Sequence, residues 1–175
     1  MAHWTAIIFC LLVACNTSFG DYVCPTDWQL MSTGDQSQCI QVVAARVNWS
    51  AAKLACQANG GQLASVHNAF ENTFINQQLA QQKITSAWLG GIIATPAAND
   101  TIDWFWVDGT DFQSYMNWKK GEPDTIADCG PNLLEQCLTI RADWSGQWND
   151  FCCGSSSAGV VYGYVCAKNA QNLLL

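Results

Sequence analysis

Charge is scarce in this chain. Only 12% of its 175 residues are charged, and seven Lys or Arg stand against fourteen Asp or Glu, a formal charge of −7. The seven basic residues are scattered from Arg46 to Lys168, so no positive stripe exists for a phosphate backbone or an anionic bilayer. Nucleic acid is therefore excluded as an expected partner, and so is insertion into a membrane, because no apolar run reaches the ~20 residues of a spanning helix. Histidine is nearly absent too: His3 and His67 are the two, and no C-x-x-C pair accompanies them. That argues against a zinc site. His67 also lacks a recognisable Ser or Cys motif, which argues against nucleophilic catalysis. Repeats, heptads and low-complexity tracts are missing, and the length suits one domain.

What is present begins with an apolar run, Ala6 to Ala14, inside a twenty-residue stretch without Lys, Arg, Asp or Glu. It reads as a secretory signal peptide over 1–20, cut after Gly20, where Ser18 and Gly20 supply small side chains. Leu12 to Cys15 also fits a lipoprotein cleavage box. Cleavage after Gly20 removes Cys10 and Cys15 and the sequon at Asn16, and it leaves a mature chain 21–175 with eight cysteines. These are Cys24, Cys39, Cys56, Cys129, Cys137, Cys152, Cys153 and Cys166. An even count behind a secretion signal predicts four disulfides and a secreted, extracellular location, with the pairing left open.

Residues Cys24 to Val47 alternate short apolar stretches around a turn at Ser32 to Asp35, as a hairpin does. Asn48 precedes Trp49, Ala52 and Cys56 at helical spacing, and Gly60-Gly61 supplies the stop. Asn68 and Glu71 form a capping-box spacing for a second helix, with Phe70, Phe74, Ile75 and Leu79 on the expected apolar face. Strand-like runs follow at Trp88 to Ile93, Asp103 to Val107, Gln136 to Ile140 and Val160 to Val165. Early helices and late strands predict an α+β fold. Between Gly109 and Glu135 periodicity fades into a long loop region, of the kind that is usually functional or disordered, and the staples Cys129 and Cys137 favour function.

Ten of the fourteen acidic residues lie between Asp100 and Asp150. Glu122, Asp124, Asp128, Glu135 and Asp150 cluster around the long loop, with Asn149 beside the last. Acidic surface loops often only solubilise a protein. Calcium, however, takes about six to eight oxygen ligands and accepts irregular loops as their source.

The order of several short motifs narrows the choice. Cys24-Pro-x-x-Trp28 is followed by Trp49-x-x-Ala52-x-x-x-Cys56, Gly60-Gly61-x-Leu63-Ala64, Trp88-Leu-Gly and Trp106-Val-Asp-Gly109. Next come Tyr115-x-Asn117-Trp118-x-x-Gly121-Glu122-Pro123-Asp124, Glu135-x-Cys137, Trp148-Asn149-Asp150-x-x-Cys153 and Tyr164-Val-Cys166. Together they resemble a C-type lectin-like domain over the core 24–168, nearly all of the mature chain. The resemblance implies a C-type lectin-like fold of two helices, short antiparallel sheets and a long disulfide-stapled calcium-binding loop. It also implies a Ca²⁺ site built from Glu122, Asp124, Glu135, Asn149 and Asp150, the last also through its carbonyl, with a cis peptide before Pro123. The same five residues would bind sugar, leaving two coordination positions for vicinal hydroxyls.

In that family Glu-Pro-Asn accompanies mannose-type sugars and Gln-Pro-Asp accompanies galactose. Glu-Pro-Asp is a hybrid. Asn149 supplies a donor amide, but ionised Asp124 and Glu135 only accept, so one hydroxyl lacks a donor. Four carboxylates around Ca²⁺ leave a charge of about −2, which disfavours acidic sugars. A neutral sugar on a microbial or self surface is the expected partner, with mannose or fucose slightly favoured because Thr125 follows the triplet where galactose binders tend to carry an aromatic platform nearby. Trp144 is a candidate stacking face, although loop packing is its commoner role. The auxiliary calcium site of some relatives is expected to be absent, given Thr125 and Gln136.

By the family pattern Cys24 pairs with Cys39, Cys56 with Cys166 and Cys137 with Cys153, leaving Cys129 with Cys152. An exchange of Cys152 and Cys153 stays open. Asn48 and Asn99 head glycosylation sequons, and Asn48 is equally a helix cap. His67 is expected at a cap or on the surface. No stalk is encoded, so oligomerisation would have to come from the domain itself. Two other readings remain. One is a protein-binding or matrix module on the same scaffold; the other is a glycosidase using two of Glu122, Asp124 and Glu135, which a metal recruiting all three as ligands would deprive of its general acid.

Overall fold

The computed structural model describes residues 22–32, 37–93, 103–124, 129, 136–154 and 161–173. The expected signal peptide, the turn at Ser32 to Asp35 beyond its first residue, Asn99, Asp128 and Glu135 lie outside the described residues.

Among the described residues, two helices, a mixed eight-stranded sheet and a two-stranded sheet make up the domain. In chain order the elements are β1 (Tyr22–Val23), β2 (Gln29–Ser32), β3 (Ser37–Val43), α1 (Trp49–Ala58), β4 (Gln62–Leu63), α2 (Ala69–Gln81), β5 (Ser86–Ile93) and β6 (Trp104–Trp106). There follow β7 (Cys137–Arg141), a 3₁₀ turn (Ala142–Trp144), β8 (Gln147–Phe151), β9 (Gly163–Asn169) and β10 (Gln171–Asn172). The main sheet runs β2-β3-β9-β5-β7-β8, with β4 added to β9 and β6 to β5. Its pairings are antiparallel except β5 with β9. β1 to β3 precede α1, both helices precede β5 to β10, and helices do not alternate with parallel strands, so the α+β expectation holds. The β2-β3 hairpin places Leu30 opposite Cys39, as the alternation between Cys24 and Val47 suggests.

Both helix starts follow from their capping residues. Asn48 accepts from the Ala51 amide at 2.8 Å, which satisfies one of the four N–H groups that an α-helix leaves without a partner. The amide oxygen of this glycosylation candidate is thus engaged as a cap. At the far end of α1, Gly60 turns the chain with φ +71°, the left-handed conformation glycine adopts without penalty. Asn68 accepts from the Glu71 amide at 2.9 Å, and Glu71 reaches back to the Asn68 side-chain amide at 2.8 Å and the His67 backbone N–H at 2.7 Å.

The buried face of α2 differs from the expected one. Ile75 and Leu79 are buried as anticipated and Phe74 is half-buried, but Phe70 is 55% exposed, and Glu71 and Asn72 take the inward positions. One turn back from Ile75 the helix meets Asn72 and Glu71, and both have polar partners inside, so burying them leaves no hydrogen bond unmade. Strands β1, β4, β8 and β10 were not expected from the sequence. β9 starts at Gly163, after Val161 and Tyr162, and Val160 lies outside the described residues.

The core has two parts. One gathers Met31, Ile40, Ile75, Leu79, Leu89 and Trp148 among others between α2 and the sheet; the other surrounds Trp49, Trp88 and the Cys56–Cys166 bridge under α1. Indole N–H groups in the second part find backbone oxygens: Trp49 donates to Leu89 at 2.9 Å and Trp88 to Val47 at 2.8 Å. Gly90 is required by contact, since a Cβ there would sit 2.7 Å from the Leu63 carbonyl oxygen.

All four disulfides close as Cys24–Cys39, Cys56–Cys166, Cys129–Cys152 and Cys137–Cys153. That is the set implied by resemblance, with Cys152 and Cys153 unexchanged.

His67 is a working part of the α2 cap rather than a simple surface residue. Its Nδ1 lies 3.1 Å from Glu71 and its Nε2 2.7 Å from the Thr110 hydroxyl, which itself donates to Asp108. The hydrogen bond that the imidazole donates to Glu71 raises the His67 pKa above its ordinary 6.5, against the opposing pull of partial burial. The Glu71 carboxyl is lowered from its ordinary 4.5: burial, the largest influence, pushes it up, and the bonds from His67 and Asn68 together outweigh that push. A raised imidazole pKa stabilises the fold fully below 6.5 and loses that effect as pH rises through the folded value. A lowered carboxyl stabilises above 4.5 and loses it as pH falls through the folded value. The pair is therefore most stabilising between those two values. The melting-temperature advantage of the wild type over His67→Ala should shrink from about pH 6 to about pH 8 in a thermal-shift series; a constant gap would show that the imidazole charge contributes nothing.

Candidate functional site

The long loop converges on the end of β8, and the convergence starts from backbone. The Trp148 N–H donates to the Asn117 carbonyl at 2.8 Å, and the Lys119 N–H donates to the Trp148 carbonyl at 3.0 Å, so residues 117–119 run beside β8 as a short parallel bridge. The chain then turns: Glu122 N–H closes on the Lys119 carbonyl at 2.9 Å, Gly121 adopts φ +100°, and the Glu122–Pro123 peptide is cis, as the resemblance implied. On the other side β7 fixes β8 in register, with Leu138 opposite Asp150 and Thr139 opposite Asn149. The Thr139 hydroxyl donates to the Asn149 carbonyl at 3.1 Å.

This framework brings together three of the expected ligands. Carboxylate oxygens of Glu122, Asp124 and Asp150 lie within 4.8 Å of one another. Asp124 is exposed, Glu122 half-buried, and Asp150 wholly buried at 0% exposure. Asp150 and Trp148 share the buried face of β8 by strand alternation, whereas Asn149 is half-buried between them. The Asn149 side-chain amide donates to the Asp150 backbone carbonyl, which joins two further oxygen-bearing groups of the expected set. Glu135, the fifth, lies outside the described residues.

Crowding shows in the protonation of Glu122. Burial is the largest cause of its raised pKa, followed by the negative charge of Asp124 and contact with Asp150, while Lys119 pulls the other way. Like charges held this close in a partly buried setting need a proton or a cation among them. The donor set is all oxygen, which suits a hard cation such as Ca²⁺ rather than zinc or copper. The residues present therefore fit a calcium ion.

Trp144 does not offer a free stacking face. Lys119 Nζ sits 3.5 Å from its ring centroid and the Arg141 guanidinium carbon 4.3 Å away, while Arg141 forms a two-pronged pair with Asp143 at 2.7 and 2.9 Å. Cation–π contact accounts for both positions. The sequence carried no sign of this arrangement beyond Arg141 lying three residues before Trp144. Asn72 was also unanticipated; counting back from Ile75 and Leu79 along the helix would have found it.

Comparison with known proteins places this geometry. The family model described as the Lectin C-type domain matches residues 45–168. The chain belongs to the C-type lectin domain family. It is 31% identical over 180 aligned positions to the galactose-specific lectin nattectin of Thalassophryne nattereri, covering 95% of this chain and 96% of that one. Ladderlectin of Oncorhynchus mykiss is 35% identical over 135, covering 76% of this chain and 64% of its own length. Among solved structures, a calcium-independent type II antifreeze protein superposes with TM-score 0.66 at 29% identity, covering 86% of this chain and 97% of that one. The C-type carbohydrate-recognition domain of cow CD23, solved in the presence of a GlcNAc2Man3 oligosaccharide, gives TM-score 0.66 at 25% identity, covering 86% and 98%. The fold is thus C-type lectin-like, and its relatives include both lectins and antifreeze proteins. Among the described residues no helix is long and apolar enough to cross a membrane.

Cys129 is tied to Cys152, two residues past Asp150, with a sequence separation of 23 residues. Chain-entropy reasoning gives such a closure about 3 kcal/mol of stabilisation. Replacing both cysteines by Ala should lower denaturant stability by about 2–4 kcal/mol while near-ultraviolet circular dichroism keeps the Trp148 signature, because the other three bridges retain the scaffold.

Proposed function

We propose that this is a secreted lectin that binds vicinal hydroxyls of a neutral sugar through one Ca²⁺ ion. Glu122, Asp124, Asn149 and Asp150 would hold the ion together with Glu135, and the ion would supply open coordination positions to the sugar. The observation that carries the reading is the clustering of the Glu122, Asp124 and Asp150 carboxylates within 4.8 Å, in a chain of the C-type lectin domain family. The protein's own residues do the rest. Asp150 fixes the buried side of the site, Glu122 and Asp124 present acceptors to sugar hydroxyls, and the Asn149 amide is the donor.

Mannose or fucose is the preference proposed from the Glu-Pro-Asp triplet and Thr125. A second reading, galactose, is favoured by the likeness over nearly the whole chain to nattectin, named as galactose-specific. Calcium-independent action on a protein, as a matrix module, would also suit this scaffold, since a superposable antifreeze protein is named as calcium-independent. A glycosidase is disfavoured, because a cation shared by Glu122, Asp124 and Glu135 would keep all of them ionised.

Retention of the pure protein on mannose and galactose resins in Ca²⁺, followed by release with chelator, tests the proposal. Flow-through on both resins and on a glycan array would contradict it. Asp124→Asn is expected to keep calcium binding and strengthen mannose retention, because the amide restores the missing donor; loss of calcium binding would refute the assigned role of the triplet. Calcium affinity should also fall between about pH 7 and about pH 5. The raised Glu122 pKa means that protons compete with the metal for the same oxygens as pH drops, so binding must displace them. Calorimetric titration at both pH values measures this, and equal affinities would count against a carboxylate cluster as the site.

A further inference from the structure

Asn72 lies on α2, far in sequence from every expected ligand, yet it is 4% exposed and both ends of its amide are used. Its oxygen accepts from the Trp148 indole Nε1 at 2.7 Å, and its nitrogen donates to the Gly146 carbonyl at 3.0 Å. The opposite orientation would set donor against donor and acceptor against acceptor, so the two contacts fix the amide in one sense. Asn117 adds a second donor to the same Gly146 carbonyl at 2.9 Å. Gly146 has φ +81°, and a Cβ there would stand 3.0 Å from the Asn72 nitrogen. The turn before β8 is therefore shaped around this side chain.

Trp148 is in turn the point where the two ligand-bearing segments meet. Its backbone bonds Asn117 and Lys119 on the way to Glu122 and Asp124, and Asn149 and Asp150 follow it directly. Its ring stands edge-on to Trp106, Tyr115 and Trp118 at 5.7 to 5.8 Å between centroids. A wholly buried indole cannot give up its N–H partner without loss, so its rotation and depth depend on Asn72.

We propose that Asn72 is a positioning residue that sets the register between segment 117–124 and β8, and so holds the carboxylates of the calcium site at their spacing. This rests on the calcium reading for its functional consequence but not for its structural core. Asn72→Leu keeps the branched outline and removes both hydrogen bonds, and Asn72→Ser is a smaller variant that cannot span the two groups. Hydrogen exchange in the calcium-free protein is the first readout. The Trp148 and Lys119 amides are expected to exchange at least about tenfold faster relative to the β5 core amides of the same protein. Calcium titration well below the melting temperature is the second, with affinity expected to drop at least about tenfold. Leu79→Ala, a buried change on the same helix, should lower the melting temperature without altering either quantity. If both Asn72 variants melt earlier but keep the wild-type exchange ratio and calcium affinity, Asn72 only packs and the proposal fails. If the wild type binds no calcium, the calcium reading fails instead, and the exchange ratio alone decides the role of Asn72.

Discussion

The backbone of Trp148 is the constraint on which the site depends. Its N–H and carbonyl bond outward to Asn117 and Lys119, while the next residues of β8 bond to β7 on the opposite edge. A loop with almost no periodicity thereby becomes the neighbour of a regular strand. Because strand alternation points Trp148 and Asp150 the same way, the one buried acid of the cluster is seated by the same packing that seats the indole. Aromatic burial thus sets where charge can collect.

Much of this fold is written in local chemistry, and the errors have local causes. Asn48, Asn68 and Glu71 announce both helix starts because a cap is a contact between near neighbours in sequence, which spacing alone can reveal. Phe70 misled because apolarity stood in for burial; the helix instead turns inward two polar residues whose partners, His67 at its cap and Trp148 a distant 76 residues on, satisfy them. β1 and β10 are two residues each, too short to carry an alternating pattern, and they exist only because two segments far apart in sequence pair with each other. Glu122, Asp124 and Asp150 were legible through motif order, since no spacing rule joins residues 26 positions apart. The cations on Trp144 were not legible, because stacking of that kind depends on where the turn after β7 carries the ring.

The scarcity of charge noted in the sequence has a structural counterpart. Ion pairs at contact distance include His67 with Glu71 and Arg141 with Asp143. Stability is left to the two apolar clusters, the indole hydrogen bonds and the four bridges. Surface pairs contribute little in any case. The acids that matter are instead gathered from two segments of the chain, with Lys119 the cation whose charge acts on Glu122. Such a cluster tolerates its own repulsion only in exchange for something positive, which is the electrostatic content of the calcium reading.

Cys152 and Cys153 are adjacent in sequence, and each is crosslinked to one flank of the same stretch, to Cys129 and Cys137 respectively. A protease that severed the chain once between those flanks would therefore liberate no fragment. Both new ends would stay moored to adjacent cysteines just past β8, and the nick would be visible only after reduction. That arrangement separates being cut from coming apart.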